Sequence, residues 1–135
     1  MGSVISQLQY SNANDIYRLV IFLDESNKSW VSLRKLLSEE LLRIKPTRRT
    51  MQMEKALLKV LEKIPVGATI KDIDVLFNPE YKIDVLRTMI DVNKKHSFKV
   101  IWPGTYEEGR LIYSEEGLSD YKTYEISDYD IVCVV

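Results

Sequence analysis

The chain is poor in the residues that bend a backbone or carry nucleophilic and metal chemistry. It has one cysteine, Cys133, and one histidine, His96, in 135 residues. A lone cysteine excludes an intramolecular disulfide, and His96 and Cys133 lie too far apart in sequence for metal-ligand spacing. No Ser/His/Asp or Cys/His nucleophile set can be drawn. The five glycines leave a gap: none occurs between Gly2 and Gly67. The longest apolar runs, 19–23 and 131–135, are far short of the roughly 20 residues that span a bilayer. Residues 1–9 have neither the basic start nor the apolar centre of a secretory signal, so a cytoplasmic protein without a membrane span is expected.

What is present is ordinary globular composition, 45% hydrophobic and 29% charged, at a length that suits one domain. A single domain over 1–135 is expected, with 1–15 as a flexible lead. The net charge of −1 hides an asymmetry: residues 28–63 hold ten basic and four acidic side chains, and residues 103–135 hold two basic and eight acidic. The basic region fits solvated faces of two amphipathic helices, or contact with an anionic partner such as DNA.

The run RLVIFL, residues 18–23, reads as a strand buried on both faces. From Trp30 onward, Leu33, Leu37, Leu41 and Ile44 recur at helical spacing, with Leu36 beside them, until Pro46. A second helical stripe places Met51, Leu57, Leu58, Leu61 and Ile64 inward, before Pro65 and Gly67. A short strand is expected at Ile70. Asn78-Pro79 is a helix-start signal for a helix carrying Val85, Leu86, Met89 and Ile90 to about Lys95. Residues 97–102, 111–113, 121–126 and 131–135 read as strands, and the glycines at 104, 109 and 117 mark turns among them. Strands alternating with helices predict an α/β fold, a largely parallel sheet with helices on both faces and a turn-rich C-terminal edge.

The first strand runs into Asp24-Glu25-Ser26-Asn27-Lys28-Ser29 and then a helical pattern, the layout of a phosphate-binding P-loop, G-x-x-x-x-G-K-[ST]. Both glycine positions are filled, by Phe22 and Asn27. Glycines let the loop curl its N–H groups around phosphate, so their loss weakens the cradle. Asp24 and Glu25 add negative charge where phosphates would sit. Ser26, Asn27, Lys28 and Ser29 are the candidate remnant of a phosphate loop, with Ser29 as the magnesium-facing hydroxyl. The bland reading makes Ser29 the N-cap of the following helix.

Three further segments carry a family resemblance. Leu37-Ser38-Glu39-Glu40-Leu41-Leu42 with Pro46-Thr47-Arg48-Arg49 resembles an LS-x-x-LL … RR stretch. Asp74-Val75-Leu76-Phe77-Asn78-Pro79 with Asp84-Val85-Leu86-Arg87 resembles an E-[IV]-LF-[DN]-P … D-P-L-R element. Trp102-Pro103-Gly104, Leu111-Ile112-Tyr113 and Asp120-Tyr121-Lys122-Thr123-Tyr124 resemble a W-x-G … LTY … [DE]-Y-[RK]-x-Y ending. Together, from Arg18 to Tyr124, the chain resembles BrxF, the small P-loop proteins of bacteriophage-exclusion (BREX) antiphage defence systems of bacteria. The resemblance implies a P-loop-NTPase-like fold, ATP and magnesium as cofactors, and other defence subunits as partners.

The departures fall on the chemistry. Of the glycine-rich loop only Lys28 and Ser29 survive, and the strand aspartate that would hold magnesium falls on Lys71, with Asp72 or Asp74 as possible substitutes. Losing the cradle and the metal ligand together should cripple phosphoryl transfer. Arg48 and Arg49 are candidate phosphate or DNA contacts. The expectation is an accessory subunit with a degenerate nucleotide site, open to self-association. The alternatives are an active Mg-ATP-dependent ATPase or switch, and a DNA-binding module using residues 28–63.

Overall fold

The computed structural model describes residues 1–13, 16–25 and 29–135. Within them lie nine strands: β1 Ser3–Ile5, β2 Leu19–Phe22, β3 Val31–Ser32, β4 Thr69–Lys71, β5 Lys99–Ile101, β6 Thr105–Glu107, β7 Arg110–Tyr113, β8 Lys122–Glu125 and β9 Ile131–Val134. The α-helices are α1 Gln7–Ser11, α2 Arg34–Leu42, α3 Met53–Leu61 and α4 Val85–Asn93. Six strands form one parallel sheet in the order β1-β9-β2-β5-β4-β3, and β6-β7-β8 form a separate antiparallel sheet. The fold is α/β with a parallel main sheet, as the alternation of elements implies.

Handedness decides which face each connection crosses. Right-handed crossovers between parallel strands place leftward and rightward connections on opposite faces. Strands β3 to β4, β4 to β5 and β5 to β9 step one way, and their connections carry α2 with α3, α4, and the antiparallel sheet. Their side chains share one core with Leu19, Ile21, Val100, Ile131 and Cys133 of the parallel sheet. Steps from β1 to β2 and from β2 to β3 run the other way. The second face therefore has a smaller cluster, Val20, Phe22, Ile101 and Val134, under Ile5, Tyr10 and Ile16. The expected helices on both faces reduce there to α1, whose Tyr10 ring meets Phe22 edge-on at 5.2 Å.

Strand β2 is buried along its whole length because it pairs with β5 on one side and β9 on the other. Residues 1–13, expected as a flexible lead, supply the edge strand β1 on β9 and the capped turn of α1, where Ser6 and Gln9 bond reciprocally. The α3 stripe is Met53, Ala56, Leu57, Val60 and Leu61, with Met51 left 78% exposed just before the helix. Asn78 caps only a single 3₁₀ turn, Pro79–Tyr81, because Lys82 takes a left-handed conformation at φ 51°. Asp84 then caps α4 through the Arg87 N–H, so that helix begins later than the Asn-Pro signal implies.

The C-terminal turns build a module on the helical face rather than an edge of the main sheet, and β9 returns to a central position. Phe77 stacks on Tyr113 at 3.8 Å, and Trp102 meets Phe77 and Tyr124 edge-on. Two of the polar ends are satisfied: Trp102 donates to the Ile112 carbonyl at 3.0 Å, and Tyr129 OH donates to Asp84 at 2.7 Å. Tyr113 and Tyr124 thus pack the antiparallel sheet against Phe77 and Trp102.

Replacing Leu57, fully buried at the centre of α3, with alanine should lower unfolding free energy by about 3 kcal/mol, whereas Met51→Ala should stay within about 0.5 kcal/mol; urea unfolding reads both. Alkali provides a second check. Burial pushes the Cys133 thiol from 9.0 up to about 12. Burial and then the Asp74 charge push Tyr113 to about 12, and burial with the Asp84 hydrogen bond does the same for Tyr129. These groups stay protonated in the fold while the unfolded chain ionises. Their stabilisation is full below pH 9 and is lost as pH rises toward 12. Cys133→Ala should remove the earliest part of that loss, up to about 1.4 kcal/mol per pH unit between pH 9 and 10, read as urea midpoint against pH.

Candidate functional site

In parallel α/β sheets, ligands bind beyond the carboxyl ends of the strands, where connections leave in opposite directions. Strands β2 and β5 are adjacent, and their outgoing chains head in opposite directions along the sheet, toward β3 and β9. A cleft of about 520 Å³ lies at this place. Its walls come from the residues that follow each strand: Leu23, Asp24 and Glu25 after β2, Arg34 after β3, Lys71, Asp72 and Asp74 at the end of β4, and Ile101 to Gly104 at the end of β5.

Four carboxylates and two cations line the cleft, and their pairings fix its electrostatics. Lys71 Nζ lies 2.6 Å from Glu25 Oε2 and 4.4 Å from the centre of the Trp30 ring. The strand-end cation is thus held by a carboxylate of the crossing loop and by an aromatic face. Asp72 has φ 61°, a left-handed turn that aspartate tolerates better than most residues, and it swings the chain out of β4. Both its oxygens are engaged: Oδ2 accepts from Ser32 Oγ at 2.6 Å and Oδ1 from Arg34 Nη2 at 3.2 Å. Ser32 Oγ accepts in turn from the Arg34 N–H at 3.3 Å. Asp74 Oδ2 accepts from Tyr113 OH at 3.1 Å.

The expected site residues therefore scatter. Ser26, Asn27 and Lys28 lie outside the described residues. Ser29 is exposed and is not a helix N-cap: β3 intervenes, and α2 starts at Arg34 behind Leu33 with no side-chain cap. In a P-loop the helix follows Lys-Ser directly; here the chain first passes β5 and β4 to reach β3 at the sheet edge. Asp72 and Asp74 do reach the cleft, but as acceptors for Ser32, Arg34 and Tyr113. Arg48 sits exposed in the 3₁₀ turn Pro46–Arg48, and Arg49 Nε donates to the Leu41 and Ile44 carbonyls, closing the end of α2. Neither arginine lines the cleft.

A magnesium nucleotide fits this donor set poorly. The end of β4 offers the Lys71 cation, both Asp72 oxygens are occupied, and Asp24 and Glu25 add negative charge to the cleft wall. Among the described residues no group of three or more His, Cys, Asp or Glu side chains is arranged to hold a metal ion. His96 is half-buried, with Nε2 enclosed and unpartnered.

Elsewhere, among the described residues, Glu40 is the one buried charged residue, 3.0 Å from Arg43 and 3.3 Å from Lys59. Burial alone would raise its carboxyl, but the Lys59 and Arg43 bonds outweigh that and hold it below the usual range. Lys59 thereby joins α3 to α2, and Arg43 closes on Glu40 within the end of α2 itself. Reading the residues just after each expected strand would have found the cleft; the Lys71 to Glu25 pairing has no signal in the linear sequence.

The fold and cleft define an α/β domain with a parallel sheet and a charge-paired pocket at its carboxyl ends. Comparison of the chain with protein-family models, with curated proteins and with solved structures finds no match. Among the described residues no helix is long and apolar enough to cross a membrane.

The Glu25 to Lys71 pair should be worth little to stability because Glu25 is half-exposed. A double-mutant cycle with Glu25→Gln and Lys71→Met should return a coupling of about 0.2–1 kcal/mol, shrinking in 1 M salt.

Proposed function

We propose that the protein is a small accessory subunit of a BREX-type antiphage defence system, a P-loop-like domain that acts by binding partner proteins and does not turn over ATP. The resemblance from Arg18 to Tyr124 supports the family. The observation that carries the functional part is the Lys71 to Glu25 ion pair. A magnesium nucleotide site needs cationic and N–H groups on the loop and an acid at the strand end. In this chain the arrangement is exchanged: the described part of the loop brings Asp24 and Glu25, and the strand end brings Lys71. The delayed start of α2 supports the same reading, since it takes the helix N-terminus away from Lys28-Ser29.

The DNA-binding reading rests on exposed Lys45, Arg48, Lys55 and Lys63 along α2, α3 and the turn between them. It is the weaker one, because Arg34, Arg43, Arg49 and Lys59 of the same region are engaged inside the molecule.

Calorimetry with Mg-ATP at micromolar protein should show no binding heat, and ATPase activity should equal buffer. In a host carrying the defence system, deleting this gene should abolish phage restriction and Lys28→Ala should leave it intact. Micromolar Mg-ATP binding that disappears in Lys28→Ala would overturn the proposal, and duplex DNA binding at low salt that is lost in Arg48→Ala/Lys55→Ala would favour the DNA reading.

A further inference from the structure

The antiparallel sheet ends on one side in a strand with nothing beside it. In the order β6-β7-β8, strand β6 has β7 as its single neighbour among the described residues, and Thr105, Tyr106 and Glu107 are all exposed. An open edge is a template for another strand unless something blunts it.

The edge is held in place rather than loose. Glu108 and Gly109, at φ 48° and 80°, make the two-residue turn that joins β6 to β7. At the other end, any side chain at Gly104 would collide with the Ile112 carbonyl oxygen, the same oxygen that accepts the Trp102 indole N–H. The strand is therefore clamped at both ends. Pairing is Thr105 with Ile112, Tyr106 with Leu111 and Glu107 with Arg110. Beside a two-residue turn, the flanking pair Glu107 and Arg110 is the hydrogen-bonded one, and alternation leaves the Tyr106 N–H and C=O pointing to the open side.

Charge selects what can dock there. Residues 103–135 hold eight acidic and two basic side chains, and Glu107 and Glu108 stand on the edge itself. A second copy on this edge would set two acidic modules against each other, which like-charge repulsion opposes. The chain's own basic residues cannot serve, because those on α2 and α3 present no extended strand.

We propose that β6 is a docking edge for an extended, basic segment of a partner protein, added as a fourth strand through the Tyr106 main chain and selected by Glu107 and Glu108. Strand addition takes its affinity from main-chain bonds and its specificity from flanking side chains. None of Thr105, Tyr106 and Glu107 lines the carboxyl-end cleft, whose wall ends at Gly104, so the proposal stands whether or not that cleft binds nucleotide.

The test uses the full chain and a fluorescein-labelled eight-residue peptide of alternating lysine and valine, with the glutamate-valine peptide as control. Anisotropy at low salt should show saturable binding of the lysine peptide alone. Tyr106→Pro removes the outward N–H without touching the ladder to β7 and should weaken binding by about tenfold or more, while Tyr106→Phe should stay within about twofold. Glu107→Lys/Glu108→Lys should also weaken it by about tenfold or more. Hydrogen exchange on the unmodified chain decides the matter even where a variant fails to fold: the peptide should protect the Tyr106 amide. Equal binding of the two peptides, or an unprotected Tyr106 amide at saturation, would overturn the proposal.

Discussion

The handedness of parallel crossovers is the constraint on which this molecule depends. Once the strands take the order β1-β9-β2-β5-β4-β3, each connection is assigned a face by its direction of travel. Three connections travel toward β9 and load one face with α2, α3, α4 and the antiparallel sheet. Two travel the other way and leave the second face with α1 and the crossing from β2 to β3. The large core, the thin second layer and the position of the cleft are consequences of that single rule.

The cleft combines a position set by topology with charges set by this chain. Its carboxyl-end position is generic to parallel sheets, because the loops there diverge and leave a crevice. Its chemistry belongs to this chain. Asp72 is spent on seating β3 and the start of α2, Asp74 on receiving Tyr113, and Lys71 on meeting Glu25. Charged groups at the mouth of the cleft are thereby turned into structural bonds.

The antiparallel module has a different logic. Its inner face is fixed by aromatic contacts of Phe77, Trp102, Tyr113 and Tyr124, so it is rigidly joined to the helical side of the main sheet. Its outer edge is acidic and unpaired. Rigid attachment and an open edge together make it a surface on which a partner can add without remodelling the domain.

The linear sequence determined the elements whose signal is local. Residues 18–23 are apolar on both faces and form the doubly paired strand β2; Leu33, Leu37 and Leu41 form a helical stripe; the turn residues at 104, 109 and 117 belong to an antiparallel hairpin module. It misplaced features that depend on competition between neighbours, such as the start of α4, where Lys82 breaks the chain and Asp84 supplies a second cap, and Met51, which sits outside the helix it appeared to extend. The fate of the Lys-Ser segment was decided by tertiary structure alone. A strand, a loop and a helical pattern look alike in sequence whether the helix follows at once or the chain first passes two strands, β5 and β4, to reach β3. Nothing in the order of residues tells that Lys71 and Glu25, 46 positions apart, will close to 2.6 Å. Local patterns are set by the period of one element, whereas charge pairing across a cleft is set by strand order, and strand order exists only in the folded sheet.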